Sequence, residues 1–466
     1  MLIRKFLLTT TILVLSSLFL NACGAGTPTE SQEITKTPNP TEPASTPTQT
    51  SIPNLINISV DELQGITIKA ASAFVGPSRA AFNDLLAKFN TVNEWGILVY
   101  LTEYNSYNTL FTEVSSSMDS PDQPNLVITI PEQILTWDPP SVMVELDPYL
   151  NDPRYGFSHA ERDDFLPIFW EMVGDQEKHI TTLPAEISAS FLYYNQSWAH
   201  ELGFNDAPST FPQFRQQACA AKEANITDDD SLNNGKGGWV VSTTPTPILS
   251  WMHAFDGGVM DSGNLVFSSQ ANTTTLQSLK TLYDDHCAWI STDHNPYTTF
   301  SDRSALFITA DLSELNNQKS SFELAGSNDE WTVLPFPGDQ TSLVAEGSSY
   351  SILATTPEQQ LASWLFIRWM LSSENQVQWV RTSGLFPMQT SVIEALDNFR
   401  SSHPQWDKAL NFMDDLTTQP LLSNWRQGKL ILGDAANFIF RTNQDANQIN
   451  SILEQMDTII QELIKQ

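Results

Sequence analysis

Paired acids are the first chemistry this sequence offers. Asp163 and Asp164 are adjacent, as are Asp284 and Asp285, and residues 228–234 read "DDDSLNN". Two carboxylates across a glycosidic bond can cleave it, one as acid and one as base or nucleophile. Acids that are neighbours in sequence more often decorate solvated loop and helix ends. The 228–234 run lacks the glycine and the closing glutamate of a calcium loop. His286 and His294 flank Asp293, without a spacing that suits a metal. GxSxG, HExxH, the phosphate-binding loop and GxGxxG are all absent. The residues therefore predict no catalytic set, no metal and no cofactor, although abundant acids leave an exported glycoside hydrolase as an alternative.

Non-covalent capture is better supplied. Thirteen Trp and ten Tyr offer flat faces for the C–H faces of sugar rings, although most tryptophans serve cores. Each buried hydroxyl of a sugar needs a hydrogen-bond partner, at a cost of about 1–3 kcal/mol if left without one. Such groups must be presented by element ends. The apolar run Ile66–Phe74 reads as a strand. Phe82, Leu85, Leu86 and Phe89 then follow at helical spacing. "WGILVYLTEY", "SYNTLFTEVSSSM" and "PNLVITI" read as strand, helix and strand. This alternation predicts a parallel sheet with crossover helices, and such sheets bind ligands beyond the carboxyl ends of their strands. Ser72, Phe74, Tyr104, Pro131, Glu132 and Gln133 occupy those ends.

A second block begins at "ITTLPAEISASFLYYNQSWAHELGF" and runs to about residue 330. "EWTVLPFPG" reads as a strand, and "SLVAEGSSYSILA" as one further strand interrupted by small residues. Thr356, Pro357 and Gln359 open a helix as N-cap, first residue and capping-box partner. Ser373 and Gln376 can open the next, and Gly384 with Pro387 closes it. Ile449, Ile452, Leu453, Met456, Ile459, Ile460 and Leu463 form one face of a C-terminal amphipathic helix. A chain of 466 residues suits two or three domains. Its net charge of −31 repels phosphate backbones and argues against nucleic acid.

The N-terminus joins Arg4 and Lys5 to an apolar run, Phe6–Leu20. That run is short for a membrane span and ends in a small-residue box, as an export signal does. The box "LNAC" resembles the bacterial lipobox, which implies lipidation of Cys23. Residues 1–22 are then a lipoprotein signal peptide. Residues 23–57, rich in Thr, Pro and Ser, are a disordered tether. The expected location is extracytoplasmic, anchored to the cell membrane by lipid. Cys219 and Cys287 remain, and in an oxidising compartment a disulfide is expected over two separate thiols.

The order of these motifs resembles the extracellular solute-binding proteins of ABC importers, in the maltose-binding-like group. The resemblance rests on "ITIKAASAFVGPSRAAFNDLLAKFN", "YNSYNTLFTEVSSSMDSPDQPNLVITIPEQILTW", "LPAEISASFLYYNQSWAHELGF", "WTVLPFPG" and "WLFIRWMLSSENQVQWVRTSGLFPMQTS", and spans about residues 66–466. It implies an α/β fold of the type II periplasmic-binding-protein class, with two lobes joined by hinge crossovers around a cleft. Lobe one would take 58–185 and 337–384, and lobe two 186–336 and 385–466. It adds Glu186, Ser188, Trp251, Asp311, Gly347, Ser348, Tyr350 and Trp425 as ligand contacts. It implies a monomer that captures a carbohydrate and delivers it to the transmembrane permease subunits. Ala71 and "FITADLS" depart from the maltose-type pattern, which leaves room for other oligosaccharides, polyols or a glycerol phosphate. Arg79, Arg303 and Arg381 are the basic residues a phosphate would recruit.

Overall fold

The computed structural model describes residues 56–137, 141–174, 179–292 and 296–464, all within one compact unit, Pro53–Gln466. The expected signal peptide, Cys23, nearly all of the tether, Asp293 and His294 lie outside the described residues.

Fourteen strands run along the described chain: β1 (Thr67–Ser72), β2 (Leu98–Glu103), β3 (Leu126–Thr129), β4 (Leu183–Pro184), β5 (Ser188–Asn195), β6 (Trp239–Val240), β7 (Met260–Asp261), β8 (Asn264–Leu265), β9 (Ala288–Trp289), β10 (Phe307–Asp311), β11 (Trp331–Leu334), β12 (Leu343–Glu346), β13 (Ser349–Ile352) and β14 (Leu416–Thr417). They build two main sheets. The first has the order β2-β1-β3-β13-β4 and the second β14-β12-β5-β10-β6-β9, with β11 also on β5.

In the first sheet β1 pairs in parallel with β2 and β3, as the alternating sequence predicts. The connections are helix α1 (Gly76–Val92) and helix α2 (Tyr107–Ser117). Pro77 near the start of α1 needs no backbone donor there. Phe82, Leu85 and Phe89 are buried, whereas Leu86 is only partly so. Phe82 meets Phe74 at 5.1 Å and Phe89 meets Phe366 at 4.9 Å between ring centroids. Each such ring contributes roughly 2–3 kcal/mol of burial. Gly384 ends helix Ser373–Ser383 at φ 73°, a left-handed cap that favours glycine.

The second sheet is organised by β5. Its run "SASFLYYN" is buried at every position, so both faces are covered. One edge takes β10 and the other is shared end to end by β12 and β11. Cys219, in helix Phe211–Thr227, is bonded to Cys287 just before β9, with Cα atoms 4.5 Å apart. At the C-terminus Ile449, Leu453, Met456 and Ile460 are buried, while Ile459 and Leu463 face out.

One expectation changes. "SLVAEGSSYSILA" is two strands in different sheets: β12 pairs with β5 and β14, and β13 with β3 and β4. Gly347 and Ser348 are the crossing between them. Segment 337–384 therefore contributes to both sheets. Beyond 384, Gln389 bridges Phe165 and Ser391 N–H donates to Asp164 Oδ1 at 2.9 Å.

Candidate functional site

The chain leaves the first sheet at β4 and enters the second at β5, so Ala185–Ile187 is one crossing. It returns from β12 to β13 through Gly347 and Ser348. The crossings lie back to back: Ala185 N–H donates to the Ser348 carbonyl at 2.8 Å. A Cβ on Gly347 would stand 2.1 Å from the Glu186 carbonyl oxygen, so only glycine permits this approach. Phe386 N–H donates to the Ile187 carbonyl at 3.0 Å, adding a further strand of chain beside them.

A cavity of about 440 Å³ opens over these crossings. One wall comes from the first-sheet half: the β1–α1 turn with Phe74 and Ser78, Tyr107 of α2, and Glu132 of helix α3 (Pro131–Trp137). The facing wall carries Asp311, Glu314 and Asn317, with Gln419, Pro420, Leu421 and Lys429. Glu186, Ser188, Glu346 and Gly347 form the floor.

The floor and walls are acidic. Tyr107 and Ser348 hydroxyls donate to Glu186 Oε1 at 3.3 and 3.1 Å. Burial pushes the Glu186 carboxyl above its ordinary range, and hydrogen bonds from Ser348, Ser78 and Tyr107 oppose that rise. Asp311 accepts from the Ser190 hydroxyl, and Tyr193 donates to its backbone carbonyl at 2.7 Å. Burial raises Asp311 too, with the charge of Glu314 adding to it. Glu346 is pushed up to about 8, by burial first and the charge of Asp311 second, against the pull of Lys429 and Thr246. Lys429 Nζ lies 2.8 Å from Glu132, whose side chain is 5% exposed. That pair spans the cleft from α3 to helix Trp425–Ile439. Nearby, Arg426 stacks over the Phe111 ring at 4.6 Å and Thr136 Oγ1 donates to the Ser423 carbonyl at 3.4 Å.

Seven residues singled out in the sequence meet at this cavity: Phe74, Pro131, Glu132, Glu186, Ser188, Asp311 and Gly347. Ser348 stands one layer behind, through its bond to Glu186. The others lie elsewhere. Ser72 is buried within the sheet. Tyr104 follows the edge strand β2, two strands from β3, and borders a separate depression with Lys69 and Glu113. Gln133 turns inward and accepts from the Thr129 hydroxyl at 2.6 Å. Trp251 is fully buried among Phe211, Phe214, Trp239 and Phe336, because helix Pro245–Ala254 is apolar on nearly every face. Tyr350 is buried in β13. Trp425 is buried and donates from Nε1 to Gln419 Oε1 at 3.0 Å, so it supports a lining residue without lining the cavity.

The basic candidates are spent on structure. Arg79 donates to the carbonyls of Phe74 and Tyr104, at 2.8 and 3.3 Å. Arg303 is clamped by Glu201 and Asp329, and Arg381 is exposed and donates to the Ala395 carbonyl. Among the described residues no arginine and no tryptophan borders the cavity.

Several lining groups escaped sequence reasoning: Ser78, Tyr107, Glu346, Gln419 and Lys429. Glu346 adjoins Gly347, and Lys429 follows Trp425 by one helical turn, so both signals were present.

Residues 84–417 match the family of bacterial extracellular solute-binding proteins. No curated protein sequence matches the chain. The structure is similar to the sugar-binding protein MalE from the phytopathogen Xanthomonas citri, with TM-score 0.72, 15% identity and coverage of 85% of this chain and 98% of that one. It is similar to an ABC substrate-binding protein from Listeria monocytogenes in complex with cycloalternan (TM-score 0.70, 13% identity, 86% and 99% covered). It is also similar to UgpB from Mycobacterium tuberculosis in complex with glycerophosphocholine (TM-score 0.69, 16% identity, 85% and 99% covered). At these identities the likeness establishes the fold, a two-lobed type II periplasmic-binding-protein architecture.

Proposed function

The chain belongs to the family of bacterial extracellular solute-binding proteins, and from that premise we propose that it captures a small carbohydrate or polyol in the cavity over the crossings, by closure of two lobes, and delivers it to an ABC permease. The observation that carries this reading is that both chain crossings, Glu186 and Gly347, border the same cavity as groups from each half. A ligand touching both walls and the hinge favours the closed form by its differential contacts there. The volume falls within the roughly 300–1,000 Å³ of small-molecule sites. Solved structures of similar fold include proteins bound to maltotriose and to α-D-tagatose, which supports a sugar.

The reading extends to the untested particulars. Phe74, Glu132, Glu186, Ser188, Asp311 and Gly347, with Tyr107, Glu346, Gln419 and Lys429, contact the solute. The protein acts as a monomer without chemistry. Cys23 carries the lipid anchor and 23–57 is the tether. Among the described residues no helix is long and apolar enough to cross a membrane.

The test is a thermal-shift panel of sugars and polyols, with product analysis of every compound that responds. The expected result is stabilisation by one structural group of solutes, each recovered unchanged. Turnover of a responding sugar would install the hydrolase instead, and silence across the panel would remove the carbohydrate reading. A Cys23→Ala chain should move from membrane to soluble fraction, and its retention would count against the anchor.

A further inference from the structure

Resting on the carbohydrate reading, we infer that the captured solute is cationic: a sugar or polyol that carries a protonated amine. Five carboxylates border the cavity (Glu132, Glu186, Asp311, Glu314 and Glu346) against one lysine, Lys429. That lysine is already held by Glu132 at 2.8 Å. Among the described residues no ion pair reaches the other four acids. The hydrogen-bond partners of three are neutral: hydroxyls of Tyr107 and Ser348 on Glu186, Ser190 on Asp311, Tyr297 and Asn317 on Glu314; Glu346 alone feels the Lys429 charge, which it shares with Glu132. Asp311 and Glu346 sit close enough to hydrogen-bond each other.

The rest of the lining sharpens the point. A neutral sugar needs acceptors for its hydroxyls, and carboxylates serve, but hydroxyls return no charge. Burial and mutual proximity already favour protons on this cluster, Glu346 above all, and a neutral sugar brings no charge that would let the acids ionise on closure. An ammonium group supplies three donors and a positive charge, and charge-assisted bonds are roughly twice as strong as neutral ones. Phosphate esters meet the opposite field: the three arginines that could receive one are engaged outside the cavity. The chain's net charge of −31 adds a long-range term of the same sign. Ser188 can read a hydroxyl, with Ser78, Asn317 and Gln419 beside it holding partners of their own, and Phe74, Met172, Leu385 and Leu421 supply the apolar wall.

Matched pairs test this by calorimetric titration: glucosamine against glucose, galactosamine against galactose, 1-amino-1-deoxysorbitol against sorbitol, and glucosamine dimer against cellobiose, with glycerol 3-phosphate as the anion. The expected result is at least one amine bound about tenfold or more tighter than its hydroxyl twin, with no binding of the phosphate. Glu346→Gln and Asp311→Asn, each checked for folding by circular dichroism, should narrow that gap. If in every pair that responds the neutral twin binds as tightly as the amine or more so, the inference is overturned and the carbohydrate reading stands. Silence from both twins of every pair, and from the neutral panel, would remove the underlying reading and the inference with it.

Discussion

Replacing Glu346 by glutamine should make the protein more stable. Burial and the adjacent Asp311 push the Glu346 carboxyl from an ordinary 4.5 to about 8. In the folded chain it therefore keeps its proton over a range in which the unfolded chain has lost it. A raised carboxylate contributes full stability below 4.5, and stability falls as pH rises through the window from 4.5 to about 8. At about 1.36 kcal/mol per pH unit, the handicap at pH 7 is on the order of 3 kcal/mol, carried by the Asp311–Glu346 pair together, and levels off above pH 8. Glutamine keeps the shape and carries no titrating proton. Unfolding entropy of about 2.1 cal/mol/K per residue over roughly 400 residues converts 3 kcal/mol into about 4 °C of Tm. The assay is thermal unfolding of both proteins from pH 4.5 to 9 without solute. Glu186 and Asp311 also have raised carboxyls, so the informative quantity is the difference between variant and wild type. It should be near zero at pH 4.5, grow through pH 7 and flatten beyond 8. A difference that stays flat with pH, or a variant less stable than wild type at pH 7, refutes the reasoning. The same variant should lose amine preference, the familiar exchange of stability against function in a binding site.

Lys429→Met should destabilise by about 1–3 kcal/mol by stranding the buried Glu132 carboxylate, and Glu132→Gln in the same chain should recover much of that in urea titrations. Cys219→Ser with Cys287→Ser should cost about 4 kcal/mol, since the bond closes a loop of sequence separation 68; an unchanged denaturation midpoint would contradict this. Trp251→Phe, in the aromatic core, should cost about 1–3 kcal/mol by chemical denaturation and leave solute affinity unchanged. Tyr107→Phe, which removes a donor to Glu186, should weaken binding several-fold while leaving the unfolding midpoint within a degree or two.

Local pattern exposed the first half of this molecule well. The strand–helix alternation from Ile66 to Ile130 is a run of short-range contacts, each element packing on its sequence neighbour, so periodicity sufficed. The same logic failed at "SLVAEGSSYSILA", where the two halves of one apolar run join different sheets. Nothing within thirteen residues can announce a change of sheet whose partners, Ser188 and Thr129, are over a hundred residues away. Of the strand ends, Phe74 and Glu132 border the cavity and Tyr104 does not, because sheet order is non-local and decides which ends face it. Trp251 and Trp425 are both buried in the core, where a large ring packs readily, and neither borders the cavity. The paired acids that first drew notice, Asp163–Asp164 and Asp284–Asp285, lie away from the cavity, whose acids are scattered along the chain from Glu132 to Glu346 and so left no local pattern.

The back-to-back crossings have an evolutionary consequence. Glu186 and Gly347 touch each other and the cavity at once, so under the proposed function a substitution there alters solute recognition and the swing of the lobes together. Selection for a new nutrient is thereby steered away from the floor. The free positions are on the rims, at Ser78, Asn317 and the 418–421 loop, where a side chain can change without disturbing the joint. Divergence among descendants of this receptor should therefore concentrate in a ring around an inherited, nearly frozen acidic floor.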